Sequence, residues 1–97
     1  MSERKTIILC AGQNGRAVVI GKVDSDPIPG EPVTLYEARM LLYWSAECGG
    51  LFGFVANGPK GDTRLTATVP KIVETQWQEW GDIPADSAKS IYEWPAE

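Results

Sequence analysis

The chain has 97 residues, 43% of them hydrophobic, 23% charged, and a formal charge of −4, which suits one folded domain over residues 1–97 and excludes an intrinsically disordered chain. No apolar run reaches the roughly 18 residues of a membrane span, and the apolar residues 6–10 are too few for a signal-peptide core, so a cytoplasmic protein with no membrane contact is expected. Glu74, Glu79, Asp82, Asp86, Glu93 and Glu97 face only Lys89 over residues 74–97, an acidity that repels phosphate backbones and excludes direct nucleic-acid binding from the expected functions.

Residues 6–10 and 16–23 are β-branched and apolar, and they flank Ala11-Gly12-Gln13-Asn14-Gly15. Asn-Gly suits positive φ at a tight turn, so this reads as an opening hairpin, with Gly21 marking a bulge in its second strand. Three prolines and a glycine make residues 24–32 a surface loop. Beyond it two readings compete. Thr34-Leu35-Tyr36-Glu37 matches a capping box for a helix over 35–47, whereas Ala38, Met40, Leu42 and Trp44 alternate with Arg39, Leu41 and Tyr43 at the period of a strand; the strand is favoured.

Leu51, Phe54 and Val55 have helical spacing, and Asn57-Gly58-Pro59 stops a helix. Residues 63–69 and 71–75 read as two strands or one broken by Pro70, and residues 76–81 as a last strand. A short helix entered near Pro84 closes the chain. The predicted fold is therefore α+β and mainly β: a bent or barrel-like antiparallel sheet of at least five strands, with one short inserted helix and a short C-terminal helix. Its predicted core includes Ile8, Val19, Leu42, Leu51, Val55, Val69 and Ile72.

The sequence contains no histidine, which removes the commonest general base, the Ser-His and Cys-His nucleophile pairs and the most frequent transition-metal ligand. Cys10 and Cys48 read as small reduced hydrophobes. Gly12-Gln13-Asn14-Gly15-Arg16 lacks the Lys-Ser/Thr ending of a phosphate loop and leads into a β pattern, and Asp24, Asp26 and Glu31 lack the ordered oxygens and sharp-turn glycine of a calcium loop. No catalytic, cofactor or metal-ligating residue is assigned.

Four tryptophans exceed what so small a core needs. On an extended segment Trp77 and Trp80 differ by an odd number and point to opposite faces, which leaves one of them outward unless the C-terminal helix or Trp94 covers it. Ringed by Glu74, Glu79 and Asp82, that indole is the predicted partner-binding surface, selecting a protein with a pocket edged by Lys or Arg.

Ala38-Arg39, Tyr43-Trp44, Gly50-Leu51, Val55-Ala56-Asn57-Gly58-Pro59, Thr63 and Val69-Pro70 together resemble a family of short, uncharacterised proteins of tailed-bacteriophage and prophage genomes. The likeness runs from Ile8 into the C-terminal helix. It implies a phage or prophage origin, and it supplies no reaction and no catalytic residues.

The expected function is a non-enzymatic, phage-encoded binding module with a protein partner. The leading form is a small virion accessory protein, a capsid decoration or connector, whose self-association into a homo-oligomer and incorporation in the virion stay open. The alternatives are an anti-defence protein that inhibits a host complex through an acidic aromatic surface and a sponge for a small signalling nucleotide.

Overall fold

The computed structural model describes residues 3–12 and 16–97. The Asn14-Gly15 turn lies outside the described residues.

Six strands form one antiparallel sheet. The first two, β1 (Lys5–Ala11) and β2 (Ala17–Val23), run side by side in unbroken register from Lys5 opposite Val23 to Ala11 opposite Ala17. Both are apolar at successive positions, the pattern of a strand covered on both faces. Ile8, Cys10, Val18 and Ile20 belong to one buried cluster, and Ile7, Leu9, Ala11, Val19 and Val23 to another.

The third strand, β3 (Val33–Tyr43), decides the disputed segment: residues 35–43 are extended. The capping box loses because Leu35, Ala38 and Leu41 find buried sites in the two clusters when β3 pairs with β2. The predicted bulge at Gly21 lies instead on β3, where Glu37, with φ of 49°, and Ala38 together stand opposite Gly21. Gly21 is the spacer: a Cβ there would stand 2.8 Å from Leu35 Cβ.

That bulge bends β3 so that its two halves serve different neighbours. The C-terminal half pairs with β4 (Arg64–Leu65), and the N-terminal half pairs with β5 (Val69–Glu74), where Pro70 occupies an edge strand that spares its missing N–H. The last strand, β6 (Trp77–Asp82), pairs with β1 at the opposite side. Laid flat, the order β5-β3-β2-β1-β6 would separate β5 from β6 by four ladder spacings, roughly 19 Å, whereas the step from Glu74 to Trp77 spans at most about 11 Å. The sheet must therefore curl, and its concave side holds Leu9, Val19, Leu35 and Ala38 with Ile72, Trp77 and Trp80 packed against them.

The other face carries two short helices, α1 (Gly50–Asn57) and α2 (Ala85–Glu93), with a 3-10 turn at Ala46–Cys48 leading into α1. Phe54 of α1 and Ala88 and Ile91 of α2 are buried against Ile8, Ile20, Leu41 and Leu65. Ser87 Oγ donates to the Phe54 carbonyl and ties the helices together. Buried Arg39 donates from Nε to Thr66 O at 2.7 Å and from Nη1 to the carbonyls of Ile91 and Trp94. A cation placed on the last carbonyls of α2 satisfies groups that the helix leaves orphaned and complements its dipole.

The predicted core is corrected at two positions. Leu42 and Val69 are exposed, because the helices cover Leu41 and Leu65 and the concave side closes over Ala38 without reaching either side chain. Ile8 and Val19 are buried, and Leu51, Val55 and Ile72 are half-buried against the two clusters. The free thiols of Cys10 and Cys48 are both buried.

Candidate functional site: an apolar groove between α1 and β6

Along β6 the simple alternation breaks. Cys10 stands opposite Glu79 and Ala11 opposite Trp77, so Gln78 is the extra residue of a bulge. The bulge returns Trp77 to the side already taken by Trp80, and both indoles pack half-buried on the concave cluster. The expectation that they face opposite ways, with one outward, is thus overturned. Trp77 Nε1 donates to the Glu31 carbonyl at 2.8 Å, and Lys5 Nζ lies 4.8 Å from the centre of the Trp80 ring.

The acidic residues expected around one indole are dispersed. Glu74, opposite Val33, lies at the far end of β5. Asp82 is held by Lys5 at 2.7 Å, and Lys5 also binds Asp26. Those two carboxylates raise the Lys5 pKa and stabilise its charge. Glu79 lies on the opposite face of β6 from Trp80, beside Cys10, and among the described residues it has no ion-pair partner.

What β6 does build is a groove with α1. Ile8, Cys10, Glu79, Trp80 and Gly81 meet Leu51, Phe52 and Val55 around a cavity of about 250 Å³ that is mainly apolar. Gly81 opens its floor, since a Cβ there would meet only Ile8 Cγ2, at 3.8 Å. Phe52 stands at the rim and is 87% exposed, the most exposed large apolar side chain among the described residues. Sequence pattern assigned Leu51 and Val55 to the core and gave Phe52 no role. The signal was available: in Leu51-Phe52-Gly53-Phe54-Val55 one turn cannot bury every side chain, and Phe54 takes the inward position.

The groove's chemistry is that of contact. Burial, then the Glu79 charge, pushes the Cys10 thiol pKa up, which keeps it protonated and poorly nucleophilic. Glu79 is the one ionisable side chain of the lining besides that thiol. A second depression of about 260 Å³, lined by residues of 23–36, is a poorer candidate because its Asp24 and Asp26 already pair with Arg4 and Lys5. A second exposed apolar patch lies at the end of β3, where Leu42, Tyr43 and Trp44 are 51%, 48% and 37% exposed. No helix among the described residues is long and apolar enough to cross a membrane.

Residues 4–95 match a family described as a domain of unknown function, DUF6948. No curated protein matches and no solved structure matches.

Proposed function

We propose that this chain, which belongs to the DUF6948 family, is a non-enzymatic binding module that docks another protein in the groove between α1 and β6. One observation carries the reading: a phenylalanine 87% exposed at the rim of an apolar cavity of about 250 Å³. Keeping so large an apolar side chain in water forfeits about 1.5–3 kcal/mol relative to burying it. A partner that covers it recovers that free energy, and aromatic anchors beside apolar pockets dominate protein interfaces. The absence of histidine from the sequence and the protonated Cys10 thiol fit a role in contact rather than in reaction.

The resemblance to short tailed-phage and prophage proteins makes a virion accessory protein the favoured setting, in which a small sheet domain sits on a repeated capsid or tail surface. The test is affinity purification of the tagged chain from phage-producing cells, with Phe52→Asp run in parallel. A protein held at fixed stoichiometry by the native chain and lost from the variant supports docking at the groove, and presence of the chain in purified particles supports the virion setting. Equal retention by both chains removes the groove from the reading.

A further inference from the structure

The partner's chemistry can be read from the edge strand that borders the groove. Among the described residues β6 pairs with β1 alone. The Ile83 amide donates to the Thr6 carbonyl at 3.1 Å, which sets the phase of that antiparallel ladder. Counting back in steps of two, Gly81 and Glu79 turn their backbone groups toward β1, and Trp80 and Asp82 turn theirs to the open side. The side chains follow the complementary rule. Trp80 shares the concave face with Leu9, while Gly81 and Glu79 share the helix face with Ile8 and Cys10 and line the cavity.

An extended segment laid along the open side of β6 would therefore pair its main chain with Trp80 and Asp82. Its residue beside Gly81 would meet no side chain and would project toward the cavity beneath Phe52. Its residue two positions away, beside Glu79, would lie on the same face, about 4.5–5.5 Å from Glu79 between Cβ atoms. Glu79 is an exposed carboxylate without an ion-pair partner among the described residues. Opposite charge at that cross-strand position favours the pairing, and like charge opposes it.

We infer that the groove takes an extended segment of a partner protein as an added strand on β6, with an apolar side chain entering the cavity over Gly81 and a Lys or Arg two residues away facing Glu79. The inference rests on the docking function proposed above and adds the mode and the sequence of the occupant. The edge beside the cavity has the form such additions require: Glu79 to Asp82 run in regular register without a proline, and the bulge of β6 is confined to Gln78.

The probe is a random decapeptide display library panned on the full-length chain. Gly81→Val serves as the blocked control, because its Cβ is accommodated and its two methyl groups would occupy the part of the cavity floor that the incoming apolar side chain needs. Enriched peptides are expected to share an apolar residue and a Lys or Arg at a spacing of two, to bind Gly81→Val at least 30-fold more weakly, and to lose binding when the amides aligned with Trp80 and Asp82 are N-methylated. Glu79→Lys should shift the enriched basic position to Asp or Glu. If Gly81→Val fails to fold by circular dichroism, Phe52→Asp takes its place as control. Peptides that need Phe52 but tolerate N-methylation and show no basic position overturn strand addition and leave docking at the groove standing. Peptides indifferent to both Gly81→Val and Phe52→Asp, or no enrichment above the blocked control, overturn the inference, and a protein partner that still needs Phe52 in affinity purification then preserves the broader function.

Discussion

The Arg39 guanidinium donates to the Trp94 carbonyl at 2.9 Å, joining the middle of β3 to the residue that follows α2. Its other bonds reach Thr66 O and Ile91 O, so one side chain ties β3, the segment after β4 and the end of α2 together. Desolvation lowers the Arg39 pKa, but the group stays charged because arginine titrates far above neutrality. Arg39→Met keeps the aliphatic stem and removes every donor, which leaves the buried Ile91 carbonyl and the partly buried Thr66 and Trp94 carbonyls without this partner, at about 1–3 kcal/mol for the buried one and less for the others. Chemical denaturation should show a loss of about 3 kcal/mol or more, and a change below about 1 kcal/mol would show that water replaces the guanidinium.

Neighbouring positions of α1 should behave in opposite ways. Phe54 is fully buried and Phe52 is 87% exposed. Phe54→Ala should destabilise the fold by about 3–5 kcal/mol, while Phe52→Ala should stay within about 0.5 kcal/mol of the native chain. Thermal melting of the two variants side by side checks the contrast.

Gly21→Ala brings a Cβ to 2.8 Å from Leu35 Cβ, inside the fully buried concave cluster. Neither atom lies on a flexible side-chain end, so β2 and β3 must separate. Overpacking of this kind costs about 1–3 kcal/mol, measurable as a lower urea midpoint with an unchanged m-value. Gly81→Ala, where the nearest atom is 3.8 Å away, should be nearly neutral in the same assay.

Burial, then the Glu37 charge, pushes the Tyr92 hydroxyl up to about 12, opposed by Arg39. The hydroxyl donates to the Glu37 carbonyl at 2.8 Å, and Lys22 lies over the ring. With the folded pKa above the ordinary value of 10, this group's contribution is complete below pH 10 and is lost as pH rises toward 12. Stability of the native chain should therefore fall more steeply between pH 10 and 12 than that of Tyr92→Phe. Parallel slopes would show that Tyr92 ionises freely in the folded chain.

Much of this architecture is legible in the chain. The apolar runs of residues 6–10 and 16–23, the two-residue period after Ala38 and the stop at Asn57-Gly58-Pro59 each correspond to an element in place. What escaped are local breaks in periodicity. Nothing in Gln76-Trp77-Gln78-Glu79-Trp80 announces that Gln78 is skipped in the ladder, yet that skip moves Trp77 to the other face and dissolves the expected indole site. The bulge at Glu37-Ala38 is signalled only from across the ladder, by Gly21, and β3's own residues do not announce it, because Leu35 takes the space over Gly21 on the neighbouring strand. Of the expected site, Glu79 and Trp80 border the groove, while Glu74, Trp77 and Asp82 are engaged or placed elsewhere. Exposure of Phe52 depends on which of two nearby phenylalanines the sheet accepts, a tertiary choice that helical spacing leaves open.

The most direct measurement compares retention of one partner protein by the native chain, Phe52→Asp and Leu42→Asp in affinity purifications from cells that express them, with equal folding verified by circular dichroism. Leu42 belongs to the separate patch at the end of β3 and is 51% exposed. Docking at the groove requires retention by the native chain and by Leu42→Asp, with at least a 30-fold loss for Phe52→Asp, which corresponds to about 2 kcal/mol. Undiminished retention by Phe52→Asp together with loss in Leu42→Asp would contradict the account and move the interface to β3.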